Sequence, residues 1–168
     1  GSSKVNPTKE ENILDEVKNA EGLVLAGYEQ GYDRQGKPDK VLLNDAVALA
    51  KKDVVDVVLA VVGLDERSES EGLDRSTMAI PQAQNDLVTA LAKTGKPVVI
   101  VLVAGSPVEL PWFNDVAAML YVGLSGQAGA SATVRALTGE VNPSGHLAET
   151  WPMQYEDCPS SGWYPASG

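Results

Sequence analysis

Val57-Val58-Leu59-Ala60-Val61-Val62 is an apolar run without polar alternation, and Pro97–Val103 repeats the pattern. Such runs are typical of parallel strands that are covered on both faces. Val116–Val122 is a third candidate strand, and a helix over Pro81–Lys93 separates the first two. Strands that alternate with helices of this length favour an α/β fold. The sequence therefore predicts a three-layer αβα sandwich with a mainly parallel sheet.

The outer elements of the chain are predicted from caps and periodicity. A further helix runs from the turn at Ser125–Gly129 to Leu137, and the chain is rich in loops from Asn142 onward. Thr8 and Glu11 are predicted to form a capping box that begins a helix, which ends at about Asn19. Leu23–Ala26 is predicted to be a short strand, and Asp39 is predicted to cap a second helix.

Composition limits the classes of partner. The chain has 168 residues and a formal net charge of −10, which argues against nucleic acid and against an anionic membrane surface as partners. Neutral ligands such as sugars remain compatible with that charge. One cysteine excludes an internal disulfide, and we expect no metal and no cofactor. No apolar run is long enough to span a membrane. No signal peptide is recognisable, and a cytoplasmic location is slightly favoured over secretion.

An acidic loop follows the first strand. Residues 65–75 contain five carboxylates and two arginines. Ligands of open α/β sheets bind beyond the carboxyl ends of the strands, and a carboxylic acid on a loop there can act as a general acid. The alternative is a solvated charged rim, which is the commoner role of a charge run.

Other motifs in the chain do not support a known chemistry. The glycine-rich segment 123–129 lacks the Lys-Ser/Thr of a P-loop and the spacing of a Rossmann motif. His146 is the only histidine, and no Gly-x-Ser-x-Gly elbow accompanies it. A phosphorelay receiver would need a lysine after the strand that ends at Val103, where Ala104-Gly105 stands.

Several blocks, in order, resemble the C-terminal α/β sandwich domain of glycoside hydrolase family 3, especially its bacterial β-glucosidases. One departure is His146, where the family usually has lysine. The similar blocks are GSSKVNP (1–7), ESEGLDR (69–75) with a helix start at Ile80, Pro81, Gln84 and Leu87, AGSPVELPW (104–112), GQAG (126–129) and GEVNPSGHLAETWP (139–152).

The resemblance implies that Glu71 is the acid/base of a retaining glycosidase, with Glu69 as the second candidate. It also implies that the nucleophile is an aspartate on a preceding TIM-like barrel, and that the sandwich is truncated at its first strand. Gly72, Asp74 and Arg75 are expected to shape the loop, Asp74 and Arg75 through an ion pair or a capping contact. Arg67 and Trp163 are the candidate sugar contacts.

The expected function is that of the acid/base domain of a retaining β-glucosidase acting on terminal β-D-glucosides or oligosaccharides. The alternative is a non-catalytic structural or carbohydrate-binding support domain of a family 3 β-N-acetylglucosaminidase or a related enzyme. Residues 1–152 are expected to form the sandwich and 153–168 a loop-rich extension. Without the barrel the chain is expected to be inactive, and an exposed barrel-facing surface predicts self-association, by strand exchange.

Overall fold

The central sheet has three parallel strands. A computed structural model describes residues 6–163, in which β1 is Val58–Gly63, β2 is Val98–Val103 and β3 is Ala118–Tyr121. The strand order is β1-β2-β3. Because all three strands run in the same direction, their carboxyl ends meet at one edge of the sheet.

Four α-helices flank this sheet within residues 6–163. The α1 helix packs on α4, while α2 packs on α3, which also contacts β1. The expected three-layer αβα sandwich is confirmed. The helices are α1 (Ile13–Asn19), α2 (Lys40–Ala50), α3 (Gln82–Ala92) and α4 (Gly129–Leu137). None of the helices between residues 6 and 163 has the length and apolarity needed to cross a bilayer.

The core is centred on β2, the middle strand. Ile100, Val101 and Leu102 are all completely buried, as expected for a strand without polar alternation. Trp112 is buried beneath the loop that follows β2, and its Nε1 donates to Asn85 Oδ1 at 2.8 Å. The indole is therefore part of the core and satisfies a buried amide at the same time.

The predicted capping box of Thr8 and Glu11 is wrong. The α1 helix begins at Ile13, and the side chain of Asn12 caps it by accepting from Asp15 N at 2.9 Å. Asparagine is at least as good a cap as threonine. The Glu11 carboxylate is engaged elsewhere, since it accepts from Ser131 N in the first turn of α4 at 3.1 Å.

The predicted strand Leu23–Ala26 is also wrong. Residues 21–30 are exposed and form no strand, and Val24 is 94% exposed. The apolar side chains of this segment suit a strand. A strand also needs a neighbour that pairs with its backbone, and the sheet in the described part of the chain contains only β1, β2 and β3.

The C-terminal part is loop-rich, as predicted. Between Gly139 and Trp163 the regular structure consists of a short 3₁₀ turn, Tyr155–Asp157. Trp151 packs edge to face on Tyr121 of β3, with ring centroids 5.0 Å apart. The domain boundary at residue 152 stays a prediction. Two predictions fall partly outside the described residues. The block at 1–7 includes residues 1–5, and the C-terminal extension includes residues 164–168, which the structure does not describe.

Glu11 makes stability depend on pH. Hydrogen bonds from Lys9 and then from Ser131 lower its pKa from the ordinary 4.5 to about 2 in the folded chain. Since the folded pKa is the lower one, this stabilisation is complete above pH 4.5 and is lost as pH falls toward 2. We expect Glu11→Gln to lower the urea midpoint at pH 7 and to remove this part of the acid sensitivity.

Glu10→Gln is the matched control, because it removes the same charge one residue away on an exposed side chain. Urea unfolding of both variants and of the wild type, followed from pH 7 down to pH 2.5, measures the effect. If Glu11→Gln loses stability with falling pH as steeply as the wild type does, the contact between Glu11 and α4 does not contribute as described.

Candidate active site

A glycine at the end of β1 directs the chain into the acidic loop. Gly63 has φ +146°, and its N–H donates to the buried Gln84 Oε1 at 2.7 Å. A Cβ at this position would overlap with the carbonyl oxygen of Val103, the last residue of β2. Glycine therefore allows the loop to leave the sheet beside the end of β2.

The first turn of the loop is built by Asp65. Its Oδ1 accepts from Arg67 N at 3.0 Å, and its carbonyl accepts from Ser68 N at 3.0 Å and from Glu69 N at 2.8 Å. Aspartate stabilises such turns because its short side chain reaches the backbone two residues on. The turn reverses the chain and brings Glu69 to the end of β2.

Both carboxylate oxygens of Glu69 are held by the segment that follows β2. Gly105 N donates to Oε2 at 2.8 Å, and Ser106 Oγ donates to Oε1 at 2.9 Å. A Cβ on Gly105 would lie 2.9 Å from Glu69 Oε1, so glycine allows this close approach. We call this arrangement of Glu69, Gly105 and Ser106 the clamp.

Arg75 forms a second attachment at the other end of the acidic loop. Its Nη2 donates to the carbonyl oxygen of Pro107 at 3.0 Å. Its Nη1 is buried and has no hydrogen-bond partner among residues 6–163. Within residues 6–163 Arg75 makes this contact with a backbone carbonyl, and the ion pair or capping contact expected of Asp74 and Arg75 is not formed. The loop-shaping role of Asp74 and Arg75 stays a prediction.

Between these two attachments lies a tight turn with Glu71 near its tip. Leu73 N donates to the carbonyl of Ser70 at 3.2 Å, and these two residues form an isolated antiparallel bridge. Gly72 has φ +78°, which a type II turn requires at its third position. Glu71 is exposed and, within residues 6–163, makes no hydrogen bond or ion pair.

The turn borders an open cavity of about 420 Å³. Glu71 and Glu69, the two candidates for the acid/base, both lie on it, whereas Arg67 and Trp163 are outside its lining. Arg67 and Trp163 are exposed, and their sugar contacts stay predictions. The lining residues are Glu69, Ser70, Glu71, Leu73, Asp74, Arg75, Ser106 and Leu124.

Sequence reasoning missed Ser106 and Leu124 as parts of this site. The available signal was position, since Ser106 lies three residues after the end of β2 and the ends of neighbouring parallel strands meet at one edge. Among the described residues no group of three or more His, Cys, Asp or Glu side chains is placed to hold a metal ion. The cavity is lined by three carboxylates, two hydroxyls, a guanidinium and two leucines.

The acidic cavity lies at the carboxyl edge of the parallel sheet, which is where α/β domains that bind ligands commonly hold them. Within this class, the sequence profile of the glycosyl hydrolase family 3 C-terminal domain matches residues 1–167, so the chain belongs to that family. The family resemblance seen in the sequence is confirmed.

Similar proteins are glycosidases several times longer than this chain. Over 162 residues it is 44% identical to the thermostable beta-glucosidase B of Acetivibrio thermocellus, covering 95% of this chain and 21% of that protein. It is 38% identical over 167 residues to an exo-alpha-(1->6)-L-arabinopyranosidase of Bifidobacterium breve, covering 98% and 22%.

The crystal structure of a family 3 beta-glucosidase from Bifidobacterium adolescentis superposes with a TM-score of 0.91 at 39% identity. That alignment covers 100% of this chain and 25% of the other. The chain therefore spans about a fifth to a quarter of the length of these relatives.

Proposed function

We propose that this domain supplies the acid/base of a retaining β-glucosidase that hydrolyses terminal β-D-glucosides, and that Glu71 is that residue. One observation carries the proposal. Glu71 lies near the tip of a loop attached at both ends, borders an open cavity, and makes no hydrogen bond or ion pair within residues 6–163. A carboxyl group in that situation is available to a substrate.

Glu69 is the weaker candidate because its oxygens are already engaged. Oε1 and Oε2 each accept a hydrogen bond within the clamp. A proton on Glu69 would remove the negative charge that strengthens both hydrogen bonds, so a role as the acid would weaken the clamp. Glu71 has no such contact to break. The direct test is replacement of Glu71 in the full-length enzyme, where hydrolysis of substrates with poor leaving groups must slow.

The chemistry proceeds in two steps. A carboxylate nucleophile attacks the anomeric carbon and forms a glycosyl ester, while the Glu71 carboxylic acid protonates the departing glycosidic oxygen. In the second step the Glu71 carboxylate takes a proton from water, which attacks the anomeric carbon and releases the nucleophile. We propose that the nucleophile is an aspartate of a separate TIM-like barrel domain, about 5–5.5 Å from the acid/base.

The barrel would also cover apolar side chains at the rim of the cavity. Leu73 is 66% exposed and Leu124 is 70% exposed, and both line it. Exposed apolar side chains at the rim of one cavity suit a surface that a neighbouring domain covers. A support domain would have such a surface too, so the preference for the catalytic role rests on Glu71, whose exposed carboxylate lines the same cavity without a partner in residues 6–163.

The choice of sugar is proposed by similarity. Several relatives that share this domain are named as beta-glucosidases, two as exo-alpha-(1->6)-L-arabinopyranosidases and one as a probable beta-D-xylosidase. The domain is thus common to enzymes that act on different sugars. The acid/base acts on the glycosidic oxygen, which the substrates of all these enzymes contain. We propose β-glucosides as the substrate class because beta-glucosidase B shares 44% of the aligned residues.

We expect the 168-residue chain by itself to hydrolyse no aryl β-glucoside, because the second carboxylate of the pair lies on another domain. Release of a chromogenic phenol by the purified chain, compared with the same amount of full-length enzyme, measures this. Turnover that follows the chain through purification, and is shown to be free of contaminating enzyme, would contradict the proposal that the site is shared.

A further inference from the structure

The clamp gives Glu69 a role that differs from acid/base catalysis. We propose that Glu69 is a positioning residue. By linking the acidic loop to the end of β2, it fixes the position of Glu71 relative to the glycosidic oxygen of the substrate. This inference rests on the proposed role of Glu71. It concerns the reaction step that needs protonation of the leaving group.

The geometry of the loop supports this role. Glu69 and Arg75 hold the two sides of the Ser70–Leu73 turn, and their partners are the consecutive residues 105–107. Only one residue separates Glu69 from Glu71. A shift of the turn along the edge of the sheet would therefore break the clamp, so the clamp fixes the backbone from which the Glu71 side chain extends.

The contacts of the clamp suit a positioning role. Hydrogen bonds to an ionised carboxylate are shorter and stronger than those between neutral groups. Because each oxygen of the Glu69 carboxylate accepts one of these hydrogen bonds, they oppose rotation of the carboxylate. A displacement of a catalytic group by about 1 Å can cost roughly 100-fold in rate. Loss of the clamp should consequently affect the chemistry of Glu71 more than substrate binding.

The test uses the full-length enzyme and two substrates. Phenyl β-glucoside needs an acid to leave, whereas dinitrophenyl β-glucoside does not, because dinitrophenolate is a stable anion. We expect Glu69→Ala to lower kcat/KM for the phenyl substrate roughly 10–100-fold and to change the dinitrophenyl value by less than about 3-fold, since that step does not use general acid catalysis.

Two conservative changes isolate the clamp from the charge. Glu69→Gln keeps an acceptor oxygen, and we expect it to retain more activity than Glu69→Ala toward the phenyl substrate. Ser106→Ala removes one donor of the clamp and changes no carboxylate. We expect it to lower kcat/KM for the phenyl substrate less than Glu69→Ala does, and to leave the dinitrophenyl value nearly unchanged. The control is Glu66→Ala, which removes an exposed charge of the same loop that does not line the cavity.

The outcomes separate this inference from the proposed function. Equal losses on both substrates, or no loss on either, in Glu69→Ala would overturn the positioning role. Azide should not restore Glu69→Ala, since the Glu71 carboxylate is still present. Restoration of Glu69→Ala by azide would make Glu69 the acid/base and overturn both statements. If Glu71→Ala does not lower kcat/KM for the phenyl substrate more than for the dinitrophenyl substrate, the proposed function is wrong, independently of the results for Glu69.

Discussion

Glu71→Ala in the full-length enzyme should lower kcat/KM for phenyl β-glucoside by about 10²–10⁴-fold, the usual contribution of a positioned general acid. The reason is that the phenolate must then leave without a proton. For dinitrophenyl β-glucoside the same substitution should leave kcat/KM nearly unchanged. The exposed position of Glu71 implies that the variant folds normally. Steady-state kinetics with a series of aryl glucosides measures both values.

The matched control for this substitution is Glu66→Ala. Glu66 belongs to the same loop and carries the same charge, but its side chain is 67% exposed, forms a long surface ion pair with Arg34 at 3.9 Å and does not line the cavity. We expect its kinetics to match the wild type on both substrates. A Glu71→Ala enzyme that is as active as Glu66→Ala on phenyl β-glucoside would exclude Glu71 as the acid.

Gly63→Ala should destabilise the domain by more than about 4 kcal/mol, which places it among the most damaging substitutions. The new Cβ would lie 2.6 Å from the Val103 carbonyl carbon and overlap with its oxygen. The backbone at φ +146° also disfavours any side chain. Relief of the overlap requires the ends of β1 and β2 to separate, and this displaces the acidic loop.

Gly95→Ala separates the steric overlap from the backbone conformation. Gly95 also has a positive φ, +83°, but a Cβ there would meet no atom within 4 Å. We expect a loss of about 1–2 kcal/mol, the usual cost of a left-handed residue with a side chain. Urea unfolding of the 168-residue chain, followed by circular dichroism, measures both variants. Similar free energies of unfolding for the two would contradict the close approach of Gly63 to Val103.

The middle of the fold was predictable because its signals are local and strong. The runs at Val57–Val62 and Pro97–Val103 correctly predict β1 and β2, and Asp39 caps α2 as expected. Burial on both faces holds for β2. It is wrong for the first run, because Val57 is 50% and Val61 is 37% exposed. The outer elements were less predictable. Asn12 competed with Thr8 as a cap, and Leu23–Ala26 has strand-forming residues without a neighbouring strand among those described.

The sequence predicted the acidic loop of the candidate site, but it did not predict the hydrogen bonds that attach this loop to residues 105–107. The carboxylates and the Glu71-Gly72 pair are visible in the sequence. The clamp joins Glu69 to residues more than thirty positions away, and it depends on the parallel register that places Gly63 opposite Val103. A sequence alone does not give that register, so it ranks Glu71 ahead of Glu69 by resemblance but does not show that Glu69 is hydrogen-bonded and Glu71 is not.

The most direct measurement of the central claim is the product that Glu71→Ala forms from dinitrophenyl β-glucoside in the presence of sodium azide. Without the carboxylate, water lacks a general base, whereas azide attacks the anomeric carbon of the glycosyl ester without one. The proposed role of Glu71 predicts faster turnover and β-glucosyl azide as the product. Glucose as the only product, with a rate that azide does not change, would contradict it.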